Sequence, residues 1–216
     1  PPYDPRTHQN ATQRGVDGQL SGSIALSFDS ASPRDIVPPL LLASKRWTVA
    51  FCSLEMLGEY RDAAGDAWVR AGFWRRPDGS PQFTGDRPGQ PGEGIAIMHR
   101  PLSAGRVGRM KWNGGGRHAY YEAMTVKGAT RVHPTQKPEV LMASLLEDFT
   151  DPGDVILDPY MGSGTTLVAA LRIGRRVIGI ERSEEYCHLA VQRLAQVSLF
   201  STGDFQSSQQ DFEWPG

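Results

Sequence analysis

The chain has 216 residues with 39% hydrophobic content, enough for one well-cored domain carrying a modest insertion. Its 23 basic and 24 acidic residues leave a formal net charge of −1, so no overall basic field points to a nucleic acid and any such contact must be local. Cys52 and Cys187 stand far apart without the close pairing of metal sites, which argues against a disulfide framework or structural zinc and fits a reducing, cytoplasmic setting; no run approaches the roughly 18 apolar residues of a membrane span.

Residues 4–33 are polar and rich in Gly, Ser, Gln and Asn, a composition that predicts a long loop. Ile36, Leu40 and Ala43 recur at helical spacing within 35–45, and Pro38 and Pro39 are expected to restrict that helix to a start near them. A strand at 47–51 and a helix over 53–64 make one strand-helix unit. Strands at 69–74 and 95–98 flank a Pro- and Gly-rich connection, 76–94, that is too long for a simple hairpin. Residues 101–132, with Gly114, Gly115 and Gly116, show no sustained period and read as an insertion on the scaffold. Regular order then returns. A helix opening at Pro138 carries Leu141, Leu145 and Phe149; a strand at 155–157, a helix at 165–173, a strand at 177–180 and a helix at 184–197 capped by Ser183 follow. Such alternation predicts an α/β fold, a mostly parallel sheet with helices on both faces. The tail, 201–216, is polar, with Phe205, Phe212 and Trp214 as docking points.

Asp158-Pro159-Tyr160-Met161-Gly162-Ser163-Gly164-Thr165-Thr166 falls where a buried strand ends and a helix begins, the place where open α/β sheets bind ligands. The spacing is neither a dinucleotide fingerprint nor a phosphate loop with its Lys, and an acid at the strand end suits a cationic group better than a phosphate. One strand further on, Glu181 is placed to accept hydrogen bonds from a ribose diol. Taken singly, the glycines serve a tight turn and Glu181 a helix start equally well; together they outline a nucleoside pocket.

With His133-Pro134-Thr135-Gln136-Lys137-Pro138 just upstream, this run resembles the cofactor motifs of DNA amino-methyltransferases. The resemblance implies S-adenosylmethionine as cofactor. Asp158 and the Gly162 to Gly164 backbone would hold its methionine part and Glu181 its ribose, with His133, Gln136, Lys137, Pro159, Tyr160, Ser163, Thr165 and Thr166 completing the site. Pro1-Pro2-Tyr3 matches the last three positions of the family's catalytic motif, an acid, Asn or Ser followed by Pro-Pro-aromatic. In that motif an exocyclic amino group, whose lone pair is delocalised into the ring, donates to the first residue and to a Pro carbonyl, while the aromatic ring stacks on the extruded base. The motif order, catalytic first and cofactor last, is that of the permuted beta group. The implied fold is therefore a Rossmann-like methyltransferase sheet, with the chain expected to begin inside its catalytic motif and the N-terminal strand feeding that motif missing.

The same order divides the chain into a catalytic half, 1–100, a target-recognition insertion, 101–132, a cofactor half, 133–200, and the tail. Nine basic residues against three acidic lie between Arg70 and Arg117. A solvated loop face is one reading; a DNA contact through Arg75, Arg76, Arg87, Arg109, Lys111, Trp112 and Arg117 is the other, favoured by the place of this stretch in the family's order. Cys52, Met98 and His99 read as core or strand-end residues. The function expected is methylation of adenine N6 in double-stranded DNA by a homodimer, in a restriction-modification setting. The competing readings are a cytosine-N4 enzyme, an RNA or protein amino-methyltransferase, and a cofactor-binding but inactive DNA-binding protein.

Overall fold

The computed structural model describes residues 13–14, 20–21, 32–79, 84–100, 110–128, 131–133 and 135–200. Two compact units emerge: Pro1–Thr125 with Glu147–Thr150, and Val126–Leu146 with Asp151–Gly216. The catalytic tripeptide Pro1-Pro2-Tyr3, Arg109 and the tail aromatics lie outside the described residues.

In the first unit β1 (Gln13–Arg14) and β2 (Leu20–Ser21) make a short antiparallel pair. The main sheet contains β3 (Trp47–Cys52), β4 (Trp68–Arg75), β5 (Gly92–His99) and β6 (Tyr120–Glu122), ordered β3-β5-β4-β6. β3 and β4 both run antiparallel to β5, and β6 runs parallel to β4. The expectation of a mostly parallel sheet fails here for a topological reason. Helix α2 (Leu57–Ala64) carries the chain from β3 back to start β4 in the same direction, and the connection 76–91 then leads into β5, which lies between them, reversed. Long as it is, that connection ends in hairpin register, Arg75 opposite Gly92.

Helix α1 (Pro33–Ala43) also departs from expectation, because it runs through Pro38 and Pro39 instead of starting there. Ser32 caps it, its side chain accepting from the Arg34 N–H at 3.3 Å, and Pro33 fills the first turn, where no N–H is needed. The two inner prolines are exposed, while Ile36 and Val37 are buried and hold the helix to the sheet despite the missing backbone bonds. Period two sorts the strands. Ala50 and Cys52 of β3 and Ala96 and Met98 of β5 share one face with Ile36, Val37, Tyr60 and Ala64 of the two helices. Burial, reinforced by Glu93, pushes the Cys52 thiol up to about 12, so it stays protonated and acts as a core residue.

The Gly-rich stretch after residue 110 is anchored, not free. Asn113 caps the Glu147–Thr150 segment, its side chain donating to the carbonyls of Glu147 at 3.1 Å and Thr150 at 2.8 Å. The Trp112 ring meets Phe149 edge-on, and Trp47 donates its indole N–H to the Lys111 carbonyl at 2.6 Å. Asp148, 3% exposed, is the hub: it pairs with Arg117 and accepts the Tyr121 hydroxyl at 2.9 Å. Burial and that bond push the Tyr121 phenol well above its ordinary range.

The second unit holds most of α3 (Glu139–Phe149), then β7 (Val155–Asp158), α4 (Thr165–Arg172), β8 (Arg176–Gly179) and α5 (Glu184–Phe200). β7 and β8 pair in parallel, from Val155 opposite Arg176 to Asp158 opposite Gly179. Ile156 and Val177 pack on Leu146, Ala169 and Ala170, the inner side of this βαβα run; Val155, Leu157 and Ile178 are exposed. Among the described residues no helix is long and apolar enough to cross a membrane.

Asp148→Ala should cost about 2 kcal/mol in urea denaturation, because it strands the buried Tyr121 hydroxyl and frees Arg117, whereas Tyr121→Phe should cost about 1 kcal/mol. A larger loss from Tyr121→Phe than from Asp148→Ala would remove the carboxylate from the centre of this network.

Candidate cofactor site

Because Asp158 and Gly179 are register partners, β7 and β8 end together, and the chain leaves both strands at one edge. Ile180 N–H still reaches the Asp158 carbonyl at 2.9 Å, and Met161 N–H returns to the Ile180 carbonyl at 3.2 Å. The loop after β7 is thereby folded over the end of β8. Asp158 accepts the Tyr160 N–H at 3.0 Å, a side-chain turn that starts the loop. Gly162 and Gly164 take φ values of 51° and 77°, left-handed conformations that side chains disfavour, and a Cβ on Gly164 would stand 2.9 Å from that of Ala190.

Glu181 joins the two predicted halves of the site. One carboxylate oxygen accepts the Gly162 N–H at 3.0 Å and the other the Ser183 N–H at 2.9 Å. Each oxygen has a second lone-pair direction, which leaves capacity for a ligand diol. Ser183 in turn caps α5, its hydroxyl accepting from the Tyr186 N–H at 3.4 Å.

The string from His133 folds as a self-bonded turn against this loop. His133 is buried, its ring edge-on to Tyr186 with centroids 4.4 Å apart, and its Nε2 would lie 3.5 Å from a Cβ placed on Gly162. Nδ1 faces the Thr135 N–H and hydroxyl, both at 3.2 Å, so it is the acceptor nitrogen of a neutral ring. Burial lowers the His133 pKa, with Arg131 and Lys137 acting the same way and Glu181 opposing. Gln136 turns its side-chain oxygen to the Val132 N–H at 2.9 Å, and its own N–H donates to the His133 carbonyl at 3.2 Å. Both contacts are local, to His133 and to the residue just before it.

The structure thus gathers His133, Gln136, Lys137, the 158–166 loop and Glu181 in one unit. Ser163 and Thr165 differ from expectation in direction: both are buried, and their hydroxyls meet Arg193 of α5 at 3.1 Å. Sequence reasoning missed Arg193 and Tyr186. Their only signal was helical spacing: Tyr186, Ala190 and Arg193 fall on one side of α5.

In the first unit most of the basic residues expected to face DNA have protein partners. Arg75 pairs with Glu122 at 2.8 Å, Arg76 with Glu93 at 3.9 Å while lying over the Trp74 ring, and Arg87 with Asp86 at 3.8 Å. Arg117 meets Asp148, and Trp112 donates to the Gly115 carbonyl at 2.9 Å. Lys111 is exposed. Arg70, His118 and the stacked pair Phe73 and Tyr120 border an open groove of about 370 Å³ along β4.

Two adjacent parallel strands, the first running from Asp158 into a glycine turn and the second followed by Glu181, have the arrangement at which Rossmann-like sheets bind nucleoside cofactors. Comparison with known proteins narrows the class. A family model described as "DNA methylase", covering N6 and N4 methyltransferases, matches residues 73–192, more than half of the chain. The chain belongs to this DNA methylase family. It is 54% identical over 67 residues to YubD of Escherichia coli (strain K12), a protein named as a methylase, and 55% identical over 62 residues to the type II methyltransferase M2.DpnII of Streptococcus pneumoniae. Those stretches cover 31% and 29% of this chain, and only 30% and 23% of the two relatives' lengths. The crystal structure of the M1.HpyAVI–SAM complex superposes with a TM-score of 0.59 at 28% identity, over 68% of this chain and 74% of that one.

A histidine held neutral by burial stabilises the fold above its unfolded pKa of about 6.5, and that contribution is lost as pH falls through the lower folded value. Urea midpoints measured from pH 8 to pH 5 should therefore fall more steeply for the wild type than for His133→Gln. Parallel curves would mean that His133 titrates as it does when unfolded.

Proposed function

We propose that this protein transfers a methyl group from S-adenosylmethionine to the exocyclic amino nitrogen of a base flipped out of double-stranded DNA, with adenine N6 as its target. The observation carrying this reading is the Glu181 bridge, which binds the glycine turn to the end of the neighbouring strand within the region of the family match. The donor set fits the cofactor. Two carboxylates, Asp158 and Glu181, flank a glycine turn without a phosphate-loop lysine, a set suited to a ligand that carries a cationic amine and a ribose diol. Asp158 would take the amino end, Glu181 the ribose, and His133, Gln136 and Lys137 would border the turn, joined by Pro159, Tyr160 and Thr166.

When bound, S-adenosylmethionine supplies a methyl on a positively charged sulfur, an electrophile that needs no further activation. The protein's task is then to present the amino nitrogen in line with that carbon and to exclude water. In this reading Pro1 and Pro2 position the amino group through a backbone carbonyl, and the Tyr3 ring stacks on the base. Arg75, Arg76, Arg87, Arg109, Lys111, Trp112 and Arg117 make up the DNA-facing set, the exposed members acting on phosphates.

Labelled-methyl transfer, followed by digestion of the DNA to nucleosides, tests this directly. N6-methyladenine is the expected product, N4-methylcytosine would move the target to cytosine, and label in RNA or protein alone would sink the DNA assignment. Glu181→Ala should weaken S-adenosylmethionine binding about tenfold or more in calorimetry, as expected for a lost charge-assisted contact. Tyr3→Ala should lower kcat at least ~10-fold and leave that affinity in place.

A further inference from the structure

We infer that Arg193 is the positioning residue of the cofactor turn, fixing the Ser163–Gly164 peptide from behind so that the loop meets S-adenosylmethionine already in its binding shape. The inference rests on the reading of residues 158–166 as that cofactor's site. Nη1 of Arg193 shares its two N–H groups among the Ser163 carbonyl at 2.6 Å, the Ser163 hydroxyl at 3.1 Å and the Thr165 hydroxyl at 3.1 Å. All three acceptors belong to two buried residues, and they lie 28 to 30 positions away along the chain. One helical turn earlier Ala190, fully buried, closes on Gly164, so the same helix face both shapes and bonds the turn.

The peptide between Ser163 and Gly164 is held at both polar ends. Its carbonyl accepts from Arg193, and its N–H donates to the Met161 carbonyl at 2.8 Å. Two residues before Gly164, the Gly162 N–H donates to Glu181. A glycine turn with φ values of 51° and 77° has unusual freedom to flip a peptide, and a flip here would break both bonds and reshape the turn. Anchors at Gly162 and Ser163 remove that freedom before the ligand arrives, which is how preorganisation raises affinity.

Electrostatics set the position apart from ordinary helix packing. The guanidinium sits at the N-terminus of α4, the positive end of its dipole, with Arg172 as a second cation nearby and Glu139 opposing. A cation there is disfavoured for stability alone; the carbonyl and the two hydroxyls hold it in place. Because one nitrogen makes all three contacts, a Lys ammonium on its shorter stem restores them only as far as it reaches the place of Nη1.

The test compares the full chain with Arg193→Met and Arg193→Lys. Calorimetry should show S-adenosylmethionine binding weakened about tenfold in Arg193→Met, the loss expected for a charge-assisted set, with partial recovery in Arg193→Lys. In steady state the KM for S-adenosylmethionine should rise while kcat at saturation stays within about twofold. Hydrogen exchange of ligand-free protein should quicken in a peptide spanning 158–166 and remain unchanged in β8. Wild-type affinity and wild-type exchange in folded Arg193→Met would overturn the inference, as would a lowered melting temperature without any change in affinity. Should Arg193→Met fail to fold, Arg193→Lys decides by the same readings. A wild-type chain that does not bind S-adenosylmethionine defeats the cofactor reading itself, whereas equal binding by wild type and variants defeats only the role of Arg193.

Discussion

Glu181 occupies a position where two strand ends, a glycine turn and a helix start must be reconciled. β7 and β8 finish opposite each other, so the loops leaving them compete for the same space and leave backbone N–H groups to satisfy. A carboxylate resolves this with one side chain, taking the Gly162 N–H on one oxygen and the Ser183 N–H on the other. Its charge also lies at the N-terminus of α5, the favourable end of that dipole. The structural role of Glu181 is therefore compatible with the ligand role proposed for it, since the bonds to the backbone aim the carboxylate and its remaining lone pairs stay available. The charge set of the site follows from this arrangement: acids after both strands, and the neutral His133 against the turn.

What could be read from the chain was local. The strand, turn and helix around 158–166 come from one contiguous segment, and Glu181 follows from the length of the next α4-β8 step, so both were visible without coordinates. Arg193 was not. A guanidinium on a helix has no periodic signature distinguishing one that faces water from one that reaches back to a loop about thirty residues earlier. Strand direction in the first unit was hidden for a related reason, because a 16-residue connection can end parallel or antiparallel and only pairing decides. Pro38 and Pro39 misled in the opposite sense: their cost to a helix is real, but here the side chains of Ile36 and Val37 are buried on the sheet and outweigh it.

The basic stretch shows how a charge count can mislead while the region stays relevant. Between Arg70 and Arg117 cations outnumber acids threefold, but the acids answering Arg75 and Arg117 are Glu122 and Asp148, beyond that window. Folding brings them in, and the local field is smaller than the sequence implies.

Partners differ in how readily they release a cation to a phosphate. Both members of the Arg75–Glu122 pair are nearly half exposed, and the Arg87–Asp86 pair is more exposed still, so water and salt already weaken these contacts. Moving either arginine to a DNA backbone leaves a solvated carboxylate behind. Arg117 is the reverse case. Its own side chain is exposed, but Asp148 is buried, and withdrawing the guanidinium would leave a desolvated anion with only the Tyr121 hydroxyl. Arg76 is held between Glu93 and the Trp74 ring, with both charged groups largely covered. Of the four pairs, Arg75–Glu122 and Arg87–Asp86 would therefore be separated by an anion at least cost, while Arg76 and Arg117 are held by their partners.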